Sequence, residues 1–551
     1  MAAAPPEAAP ARSTAAGRRV IEGRSVRWDN ARAEDAYARG LWVRETLAEA
    51  LDRAAAQTPD RVLIVDGGTH LVASDFRRRV QVMAARLLDH APRGSVVSFM
   101  LPNWHEAALI YLAATLAGMI AHPILPSLRE RDLKFMLGDV QSRFVFVPAT
   151  LRGHDYVAML DQVIAAMPEP PKVVVVRGNA GRHTPFSALE CGETAPLPSL
   201  EPDAVRLILH TSGTTGSPKG VMHTHNSIHA LARQLGAHWR ISTGDAFLVP
   251  SPISHIGGSI YAFEAPLLLG TRAVLMERWD AAEGLALMHV HGCTHMAGAT
   301  PFLEQLLAAA EAANDRLPGL KVFICGGASV PPSLIRAASD WFDKACVTRV
   351  YGSTEAPVTT VGVLDREAIA LAADTDGRPG IAEIRLVDTS GADAEAGEVR
   401  VRGPQMLVGY LHPEDDAATF DDDGFFRTGD LGHRADDCLV ISGRAKDIII
   451  RKGENIAPKE IEDVLITHPQ IAEAAVIGLP DPLSGERACA VIVPRDEAAP
   501  DVAGLGVFLR SAGFAAFQLP EQVVVRTALP RNDAGKVLKH VLRAELSLGE
   551  G

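Results

Sequence analysis

Short runs of β-branched and aromatic residues alternate with longer Ala- and Leu-rich stretches from residue 62 onwards. The apolar runs have the length of buried strands, and they are Val62–Val65, Ser95–Phe99, Phe144–Val147 and Val173–Val176. Strands that alternate with helical stretches are typical of parallel sheets covered by helices. The pattern therefore predicts an α/β fold.

Two helices can be placed from the apolar pattern. Leu47, Leu51 and Ala55 recur at the helical period, and Pro59 predicts the end of that helix. The second is the uncharged stretch 107–121, whose 15 residues fall short of the roughly 20 that a membrane-spanning helix needs. We therefore expect 107–121 to be a helix buried between sheets.

The pattern changes between residues 380 and 432. The short alternating runs Ile384–Val387 and Glu398–Val401 come with tight turns, and they predict a small β-rich lobe. Residues 177–204 are rich in Gly, Pro and polar side chains, which favours a surface excursion. The chain has 551 residues, which is enough for about three or four lobes of roughly 150 residues each.

Composition narrows the classes of function. Apolar residues make up 47% of the chain and charged residues 22%, as in ordinary soluble globular proteins. The net charge of −13 argues against non-specific binding to nucleic acid. The six cysteines form no C-x-x-C pair, which argues against a zinc or disulfide framework and favours the cytoplasm. Residues 1–16 lack the apolar core of a secretory signal, and we expect residues 1–25 to be a disordered tail.

The main candidate for chemistry is the stretch His210–Gly220, which reads H-T-S-G-T-T-G-S-P-K-G and follows a short buried run. Glycines let backbone N–H groups turn towards an anion, hydroxyls add donors, and Lys219 adds a positive charge. The Walker-type loop requires a lysine directly after a glycine, whereas Lys219 follows Pro218. The stretch therefore predicts a phosphate-binding loop of another type, with a flexible polar surface loop as the alternative.

Two further motifs suit a nucleotide. Tyr351-Gly352-Ser353-Thr354-Glu355 follows a predicted strand and combines an aromatic ring, hydroxyls and a carboxylate. These groups can stack on adenine, bind a phosphate and hold magnesium. Asp430 lies in T-G-D-L-G, where its carboxylate can accept hydrogen bonds from both ribose hydroxyls. The alternative for Asp430 is an ordinary turn aspartate.

Together these motifs resemble those of the adenylate-forming (ANL) superfamily, which contains acyl-CoA synthetases, luciferases and the adenylation domains of peptide synthetases. The resemblance covers the chain from about residue 40 to 545. It implies a large N-terminal domain of two αβ-layered sheets plus a small β-rich lobe, followed by a small, mobile α+β C-terminal domain. The implied boundaries are 26–445 for the N-terminal adenylation domain and 446–551 for the C-terminal domain.

The resemblance also implies the roles of individual residues. The ATP and AMP site would be formed by Thr211, Ser212, Gly213, Thr214, Thr215, Gly216, Lys219, Gly327, Ala328, Tyr351, Gly352, Ser353, Asp430 and Arg444. Thr354 and Glu355 would act in catalysis, with Glu355 as the ligand of Mg²⁺. Lys536 would bridge the substrate carboxylate and the α-phosphate, where negative charge accumulates in the transition state.

The C-terminal motifs imply a domain movement. In the family, the hinge lies two positions beyond a motif arginine, which corresponds to Arg444 here. The resemblance therefore makes Lys446 the pivot. Lys452, Gly453 and Glu454 match the loop that lines the pantetheine tunnel for coenzyme A. Many relatives carry two glycines there, whereas this chain has Lys452 before Gly453, as coumarate ligases and luciferases do.

The acyl pocket implied by the resemblance contains His255, Gly258, Ser259, Gly298, Ala299 and Thr300. His255 would position the carboxylate and count among the catalytic residues. Amino-acid-activating relatives place an aspartate near this histidine, and its absence before Glu264 argues against an amino-acid substrate. The segments at 101–104, 123–132 and 295–302 look like those of cyclohexanecarboxylate and medium-chain acyl-CoA ligases.

The sequence thus predicts an enzyme that uses ATP and Mg²⁺ to activate an alicyclic, polycyclic or medium-chain carboxylic acid and transfers it to coenzyme A. Its partners would be these small molecules, with no nucleic acid, no membrane span and a homodimer left open. The alternative is an adenylating enzyme that passes the acyl group to a carrier protein or a separate transferase. A luciferase-like oxidising enzyme is a further alternative, and a serine hydrolase is disfavoured because no G-x-S-x-G motif occurs.

Overall fold

The computed structural model describes residues 17–211, 218–327, 330–452, 454–496, 498–531 and 536–548. It begins with a hairpin of β1 (Gly17–Ile21) and β2 (Arg24–Trp28). The backbone N–H of Arg27 donates to Val408 O at 2.7 Å, which attaches this hairpin to a distant part of the chain. The expectation of a disordered tail is therefore wrong for residues 17–25, while residues 1–16 lie outside the described part.

The first large sheet has seven strands in the order β11-β10-β7-β5-β6-β12-β13. Its strands are β5 (Val96–Phe99), β6 (Ile120–Pro123), β7 (Ser142–Pro148), β10 (Lys172–Val176), β11 (Thr184–Pro185), β12 (Val205–Thr211) and β13 (Lys219–Thr224). The pairings are parallel except that β12 and β13 form an antiparallel hairpin. A separate two-stranded ribbon, β8 (Thr150–Leu151) and β9 (His154–Asp155), directly follows β7 in the sequence.

The second large sheet also has seven strands, in the order β18-β17-β16-β14-β15-β3-β4. They are β3 (Val62–Asp66), β4 (Thr69–Val72), β14 (Ala246–Val249), β15 (Arg272–Leu275), β16 (His295–Gly298), β17 (Val322–Gly326) and β18 (Cys346–Val350). Only the β3–β4 pair is antiparallel among these pairings. The predicted α/β alternation with parallel sheets is confirmed.

Helices cover both sheets. They are α1 (Asn30–Ala38), α2 (Leu47–Gln57), α3 (Ala73–Leu88), α4 (His105–Leu116), α5 (Glu130–Asp139), α6 (Tyr156–Ala165), α7 (His225–His238), α8 (Ile256–Ser259), α9 (Ala265–Leu268), α10 (Ala281–His291), α11 (Thr300–Ala312), α12 (Pro332–Trp341) and α13 (Ile369–Asp374). A π-helical turn, Ile260–Glu264, joins α8 to α9, and short 3₁₀ turns occupy Phe186–Leu189 and Arg366–Ala368.

Helix α4 lies between the two sheets, because it contacts strands of both and all its residues from Glu106 to Leu116 are buried. It ends at Leu116, and Gly118 adopts a left-handed φ of 65° before β6 begins. The prediction of a buried helix is confirmed, but its extension to residue 121 is wrong because the turn at Gly118 redirects the chain into a strand. In the described part of the chain, no helix has both the length and the apolarity to cross a bilayer.

A third sheet follows, with the order β19-β20-β21-β22 and antiparallel pairing throughout. Its strands are β19 (Glu383–Val387), β20 (Ala396–Arg402), β21 (Phe426–Ala435) and β22 (Cys438–Arg444), and the short α14 (Glu414–Ala417) lies between β20 and β21. This is the predicted β-rich lobe, and β22 extends it beyond residue 432.

The C-terminal part has a sheet and apolar cores of its own. Its elements are β23 (Ile449–Arg451), β24 (Glu454–Ile456), α15 (Pro458–Leu465), β25 (Ile471–Asp481), β26 (Gly485–Pro494), α16 (Val502–Ser511), β27 (Gln522–Val525) and α17 (Lys539–Leu548). A 3₁₀ turn, Ala445–Asp447, connects it to β22, and a second one occupies Ala516–Gln518.

A triad of two charged residues and a tyrosine, Arg206, Glu264 and Tyr111, is buried in the core between the sheets. Arg206 Nη2 donates to Glu264 Oε1 at 2.8 Å, and the Tyr111 hydroxyl donates to the same oxygen at 2.5 Å. Arg206 and Glu264 are 2% and 0% exposed. Burial alone would lower the pKa of Arg206, but the charge of Glu264 outweighs this effect and raises that pKa above its usual value. The triad ties β12 to α4 and to the π-helical turn.

Removal of one charge from this triad should destabilise the N-terminal domain strongly. Glu264→Gln leaves the Arg206 guanidinium buried without a counter-ion, so we expect a loss of about 3–5 kcal/mol in the free energy of unfolding. The double variant Arg206→Met/Glu264→Leu should lose much less, because both charges are removed together. Urea denaturation monitored by tryptophan fluorescence provides the comparison, and a double variant no more stable than Glu264→Gln contradicts this account.

Candidate active site

Several nucleotide-site candidates lie at strand ends of the two large sheets. Thr211 closes β12, Lys219 opens β13, and the two residues are register partners in the hairpin. Gly327 follows β17 with a left-handed φ of 83°, a conformation that favours glycine. Ser212, Gly213, Thr214, Thr215, Gly216 and Ala328 lie outside the described residues.

Glu355 and Lys219 meet through Tyr410. The Tyr410 hydroxyl donates to Glu355 Oε1 at 3.1 Å, and the Thr211 hydroxyl lies 3.5 Å from the same oxygen. The Lys219 ammonium lies 5.2 Å from the centre of the Tyr410 ring and 2.9 Å from Asp415 Oδ1. The predicted phosphate lysine and the predicted metal carboxylate thus belong to one cluster.

Asp430 is held by Tyr351 and Arg444. The Tyr351 hydroxyl donates to Asp430 Oδ2 at 2.6 Å, and Arg444 Nε lies 3.0 Å from Oδ1. Burial and the Asp430 charge raise the pKa of Tyr351 well above its usual value, so the phenol keeps its proton and remains a donor. The loop after β18 and the third sheet are therefore joined at the predicted ribose carboxylate.

The loop between Tyr351 and Glu355 is fixed by its own hydrogen bonds. Ser353 N donates to Ala356 O, and Ser353 Oγ accepts from Ala356 N, each at 3.1 Å. A Cβ on Gly352 would lie 2.6 Å from Val358 N, so only glycine fits there. The imidazole Nε2 of His223 lies 2.8 Å from the Thr354 carbonyl oxygen, and this hydrogen bond stabilises the loop.

Lys536 approaches this cleft from the C-terminal part. Its side chain is exposed, yet surrounding protein atoms lower its pKa to about 8, and the charge of Arg444 adds to the effect. Lys446 lowers the pKa of Lys536 further, whereas Asp430 acts in the opposite direction. Burial and Arg444 also lower the pKa of Lys446, which lies in the 3₁₀ turn directly after β22. Three cations thus share the neighbourhood of Asp430, an arrangement suited to a polyanionic ligand.

The acyl-pocket candidates lie around the start of α8 and the start of α11. His255 is half-buried and directly precedes α8, while Ser259 is buried and its hydroxyl donates to Ile256 O at 3.2 Å. A Cβ on Gly258 would lie 2.1 Å from Pro252 O, and one on Gly298 would lie 2.6 Å from the Phe302 ring. These two glycines therefore permit close packing of protein atoms, because any larger side chain at 258 or 298 would clash with them. Ala299 and Thr300 sit at the start of α11, where Thr300 is buried.

The loop that contains Lys452 has an unusual backbone conformation. Lys452 adopts a left-handed φ of 52°, and its N–H donates to Ser484 O at 2.8 Å. Glycine adopts this conformation without steric cost, whereas a residue with a Cβ, such as lysine, adopts it at some cost in strain. Glu454 is exposed at the start of β24, and Gly453 lies outside the described residues.

The structure adds supporting residues that the sequence motifs did not reveal. Tyr410 orients Glu355, Asp415 contacts Lys219, and His223 holds the Thr354 carbonyl. The sequence carries little signal for them, because each lies outside the motif it supports. His223 is the partial exception, since it stands in an H-x-H pair directly after the β13 apolar run.

Comparison with known proteins identifies the chain. The family model of the AMP-binding enzymes matches residues 51–411, and that of the AMP-binding enzyme C-terminal domain matches residues 460–536. The chain belongs to the AMP-binding enzyme family. It is an ATP-dependent, AMP-forming acyl-CoA synthetase of the ANL superfamily, as the resemblance implied.

Relatives of this acyl-CoA synthetase match along almost their whole length. The medium-chain fatty-acid–CoA ligase of Escherichia coli K12 is 33% identical over 521 residues, which cover 92% of this chain and 91% of the relative. The 2,3-dihydroxybenzoate-AMP ligase of Bacillus subtilis is 31% identical, with 94% and 97% covered. The crystal structure of ATP-bound MatB from Rhodopseudomonas palustris superposes with a TM-score of 0.81 at 27% identity, with 91% and 99% covered.

Proposed function

We propose that this acyl-CoA synthetase joins an alicyclic, polycyclic or medium-chain carboxylic acid, which includes natural-product acids, to coenzyme A through an acyl-adenylate. One observation carries the assignment of the site. Lys219 and Glu355 meet at Tyr410, while Asp430 lies against Tyr351 and Arg444 with Lys536 close by. Phosphate, metal, ribose and carboxylate functions would thus be arranged around one nucleotide.

In the first half-reaction, a carboxylate oxygen attacks the α-phosphorus of ATP, and the bond to pyrophosphate breaks. The protein's contribution is mainly positioning and neutralisation of charge. Lys219 and Thr211 would bind the phosphates, Asp430 the ribose, and the Tyr351 ring the adenine. Lys536 would lie between the carboxylate and the α-phosphate, with Thr354 and His255 beside the reacting groups.

In the second half-reaction, the thiol sulfur attacks the acyl carbonyl, and AMP leaves with the electrons of the acyl–phosphate bond. Lys446 would be the pivot that removes Lys536 and brings the loop of Lys452, Gly453 and Glu454 to the cleft. The position of Lys446 in a short 3₁₀ turn between the third sheet and the C-terminal sheet supports this role. Two-state rotation of a domain is a common gating step in enzymes.

Glu355 fits a magnesium site. Its carboxylate provides the hard oxygen ligand that Mg²⁺ prefers, and the side chain is only partly buried. Bound Mg²⁺ would neutralise charge on the phosphates. Tyr410 and Thr211 would orient the carboxylate through their hydroxyls.

Different observations support the proposed acid substrate and the proposed acceptor of the acyl group. The medium-chain ligase of E. coli acts on medium-chain fatty acids by its name, and the absence of an aspartate after His255 disfavours amino acids. The alternative, transfer of the acyl group to a carrier protein or a separate transferase, is supported by the relative from Bacillus subtilis, which is named a 2,3-dihydroxybenzoate-AMP ligase. We further propose that the enzyme is cytoplasmic and forms a homodimer.

A substrate panel tests the proposed function. Pyrophosphate release should depend on cyclic, polycyclic or medium-chain acids and exceed that with long straight-chain acids or amino acids. Acyl-CoA should form only when coenzyme A is added, as measured by mass spectrometry. Rapid pyrophosphate release without acyl-CoA would favour the carrier-protein alternative, and no release with any acid of the panel would contradict the proposal.

Lys536→Ala should separate the two half-reactions. Loss of one preorganised charged donor typically costs about 3–4 kcal/mol of barrier, so adenylation should fall by a factor of roughly 10²–10³. Thioester formation from supplied acyl-adenylate should persist, which also shows that the variant folds. Since the pKa of Lys536 is about 8, wild-type kcat/KM for adenylation should decline as pH rises through that value. Lys536→Arg should move the decline to higher pH, and unchanged pyrophosphate release by Lys536→Ala would refute this role.

Lys446→Pro should block the rotation. Proline fixes its own φ and disfavours the helical conformation of the preceding Ala445. We expect adenylation to be retained and acyl-CoA formation to be lost, whereas Lys446→Ala, which leaves the backbone free, should retain both. Single-turnover assays of each half-reaction provide the measurement. Equal loss of both half-reactions in Lys446→Pro argues against Lys446 as the pivot.

A further inference from the structure

A continuous chain of hydrogen bonds runs behind the strand that carries Thr211. It starts at the buried hydroxyls of Ser142 and Ser98, whose oxygens lie 2.7 Å apart, and Ser98 Oγ lies 2.8 Å from His122 Nδ1. His122 Nε2 lies 2.9 Å from His210 Nδ1, and His210 Nε2 lies 2.9 Å from Asp139 Oδ2. The other oxygen of Asp139 is 2.7 Å from Nε2 of the half-exposed His412.

The direction of the first three bonds follows from the number of protons available. The Ser142 hydroxyl donates its only proton to the Phe144 carbonyl at 2.7 Å, since a carbonyl can only accept. Ser98 must therefore donate to Ser142, and Ser98 can only accept from His122. The Nδ1 atom of His122 consequently carries a proton.

His122 has no second proton to give. Burial, and then the neighbouring His210, lower the pKa of His122 well below its usual value, so its ring is neutral. A neutral ring with a proton on Nδ1 has a lone pair on Nε2. His210 must then donate from its Nδ1 to His122.

The other side of His210 faces a carboxylate. Burial works to raise the pKa of Asp139, but hydrogen bonds from His210 and His412 outweigh it and lower this pKa, so Asp139 stays ionised. An ionised carboxylate only accepts, which requires a proton on His210 Nε2 as well. Protons on both ring nitrogens make His210 an imidazolium, although its side chain is only 2% exposed.

This charge lies at the base of the proposed phosphate site. His210 directly precedes Thr211 and pairs across the hairpin with Gly220, the neighbour of Lys219. Its ring lies against His122 of β6, and against Asp139 and the Phe135 ring of α5. His412 also contacts Asp139. The hydrogen bond to Asp139 raises the pKa of His412, and the negative charges of Glu414 and Asp415 raise it further. The imidazolium of His210 therefore places positive charge directly behind the hairpin.

We propose that His210 is held as a buried imidazolium by the polarity of the Ser142–Ser98–His122 chain, and that this fixed charge strengthens the binding of the ATP phosphates beside Thr211 and Lys219. Ser142 is thus a positioning residue that acts on ATP through three intervening side chains. The ATP part of this inference rests on the proposed function, whereas the charge state of His210 does not.

Ser142→Ala tests the inference without a change at the site itself. Its loss frees the Ser98 proton for His122 Nδ1, so His122 can carry its proton on Nε2 and donate to His210, which then needs only one proton. Nitrogen-15 spectra of the histidine rings in the full-length enzyme at pH 7.5 should show His210 doubly protonated in wild type and neutral in Ser142→Ala. His210→Gln assigns the signal by its disappearance. A neutral His210 in wild type would overturn the proposal.

The binding arm uses calorimetric titration with Mg·ATP in the absence of acid. We expect the Kd for ATP to rise about tenfold in Ser142→Ala at pH 7, which corresponds to one unit-charge interaction across about 12 Å at an effective dielectric constant of about 20. Ser339→Ala, which removes a buried hydroxyl in helix α12 outside the histidine chain, should bind ATP like wild type. A purely structural role of Ser142 would leave His210 doubly protonated in the nitrogen-15 spectra of Ser142→Ala, as in wild type.

The outcomes separate the two proposals. Wild-type enzyme that binds no ATP overturns the proposed function and, with it, the ATP part of the inference. ATP binding by Ser142→Ala that matches wild type overturns the inference alone. A doubly protonated His210 in wild type, together with weaker ATP binding by Ser142→Ala, supports it.

Discussion

The structure of the cleft depends on one carboxylate that receives contacts from distant parts of the chain. Asp430 stands on β21, Tyr351 follows the last strand of the second large sheet, and Arg444 closes β22. Lys536 joins them from the far end of the polypeptide. A buried carboxylate is stable only where donors and cations compensate it, so these elements must come together for Asp430 to be accommodated. The same compensation gathers the groups that a nucleotide would contact.

Much of this arrangement follows from local patterns. The runs at 62–65, 144–147 and 173–176 became β3, β7 and β10, because residues buried on both faces of a parallel sheet must be continuously apolar. Tyr351, Glu355 and Asp430 could be proposed because their side-chain chemistry suits adenosine and magnesium. Gly118 shows the limit, since an uncharged stretch does not reveal where a left-handed turn ends a helix.

Supporting residues and side-chain packing could not be predicted in the same way. Gly298 is an example, since the space beside it is filled by Phe302, four residues later on α11. Tyr410 and His412 act through contacts that form only when the segment between β20 and β21 packs against Glu355 and Asp139. The polarity of the histidine chain depends on the Ser142 proton, which is given to a carbonyl two residues away. Such facts belong to three-dimensional contacts and leave no periodic signal.

The position of the linker after β22 has a consequence for product release. Arg444 pairs with Asp430 in the strand register, and the turn Ala445–Asp447 follows it without an intervening residue. If Lys446 is the pivot that we propose, rotation there would act directly on the strand end that holds Arg444 against Asp430. Release of the spent nucleotide and reorientation of the C-terminal part would then be mechanically coupled.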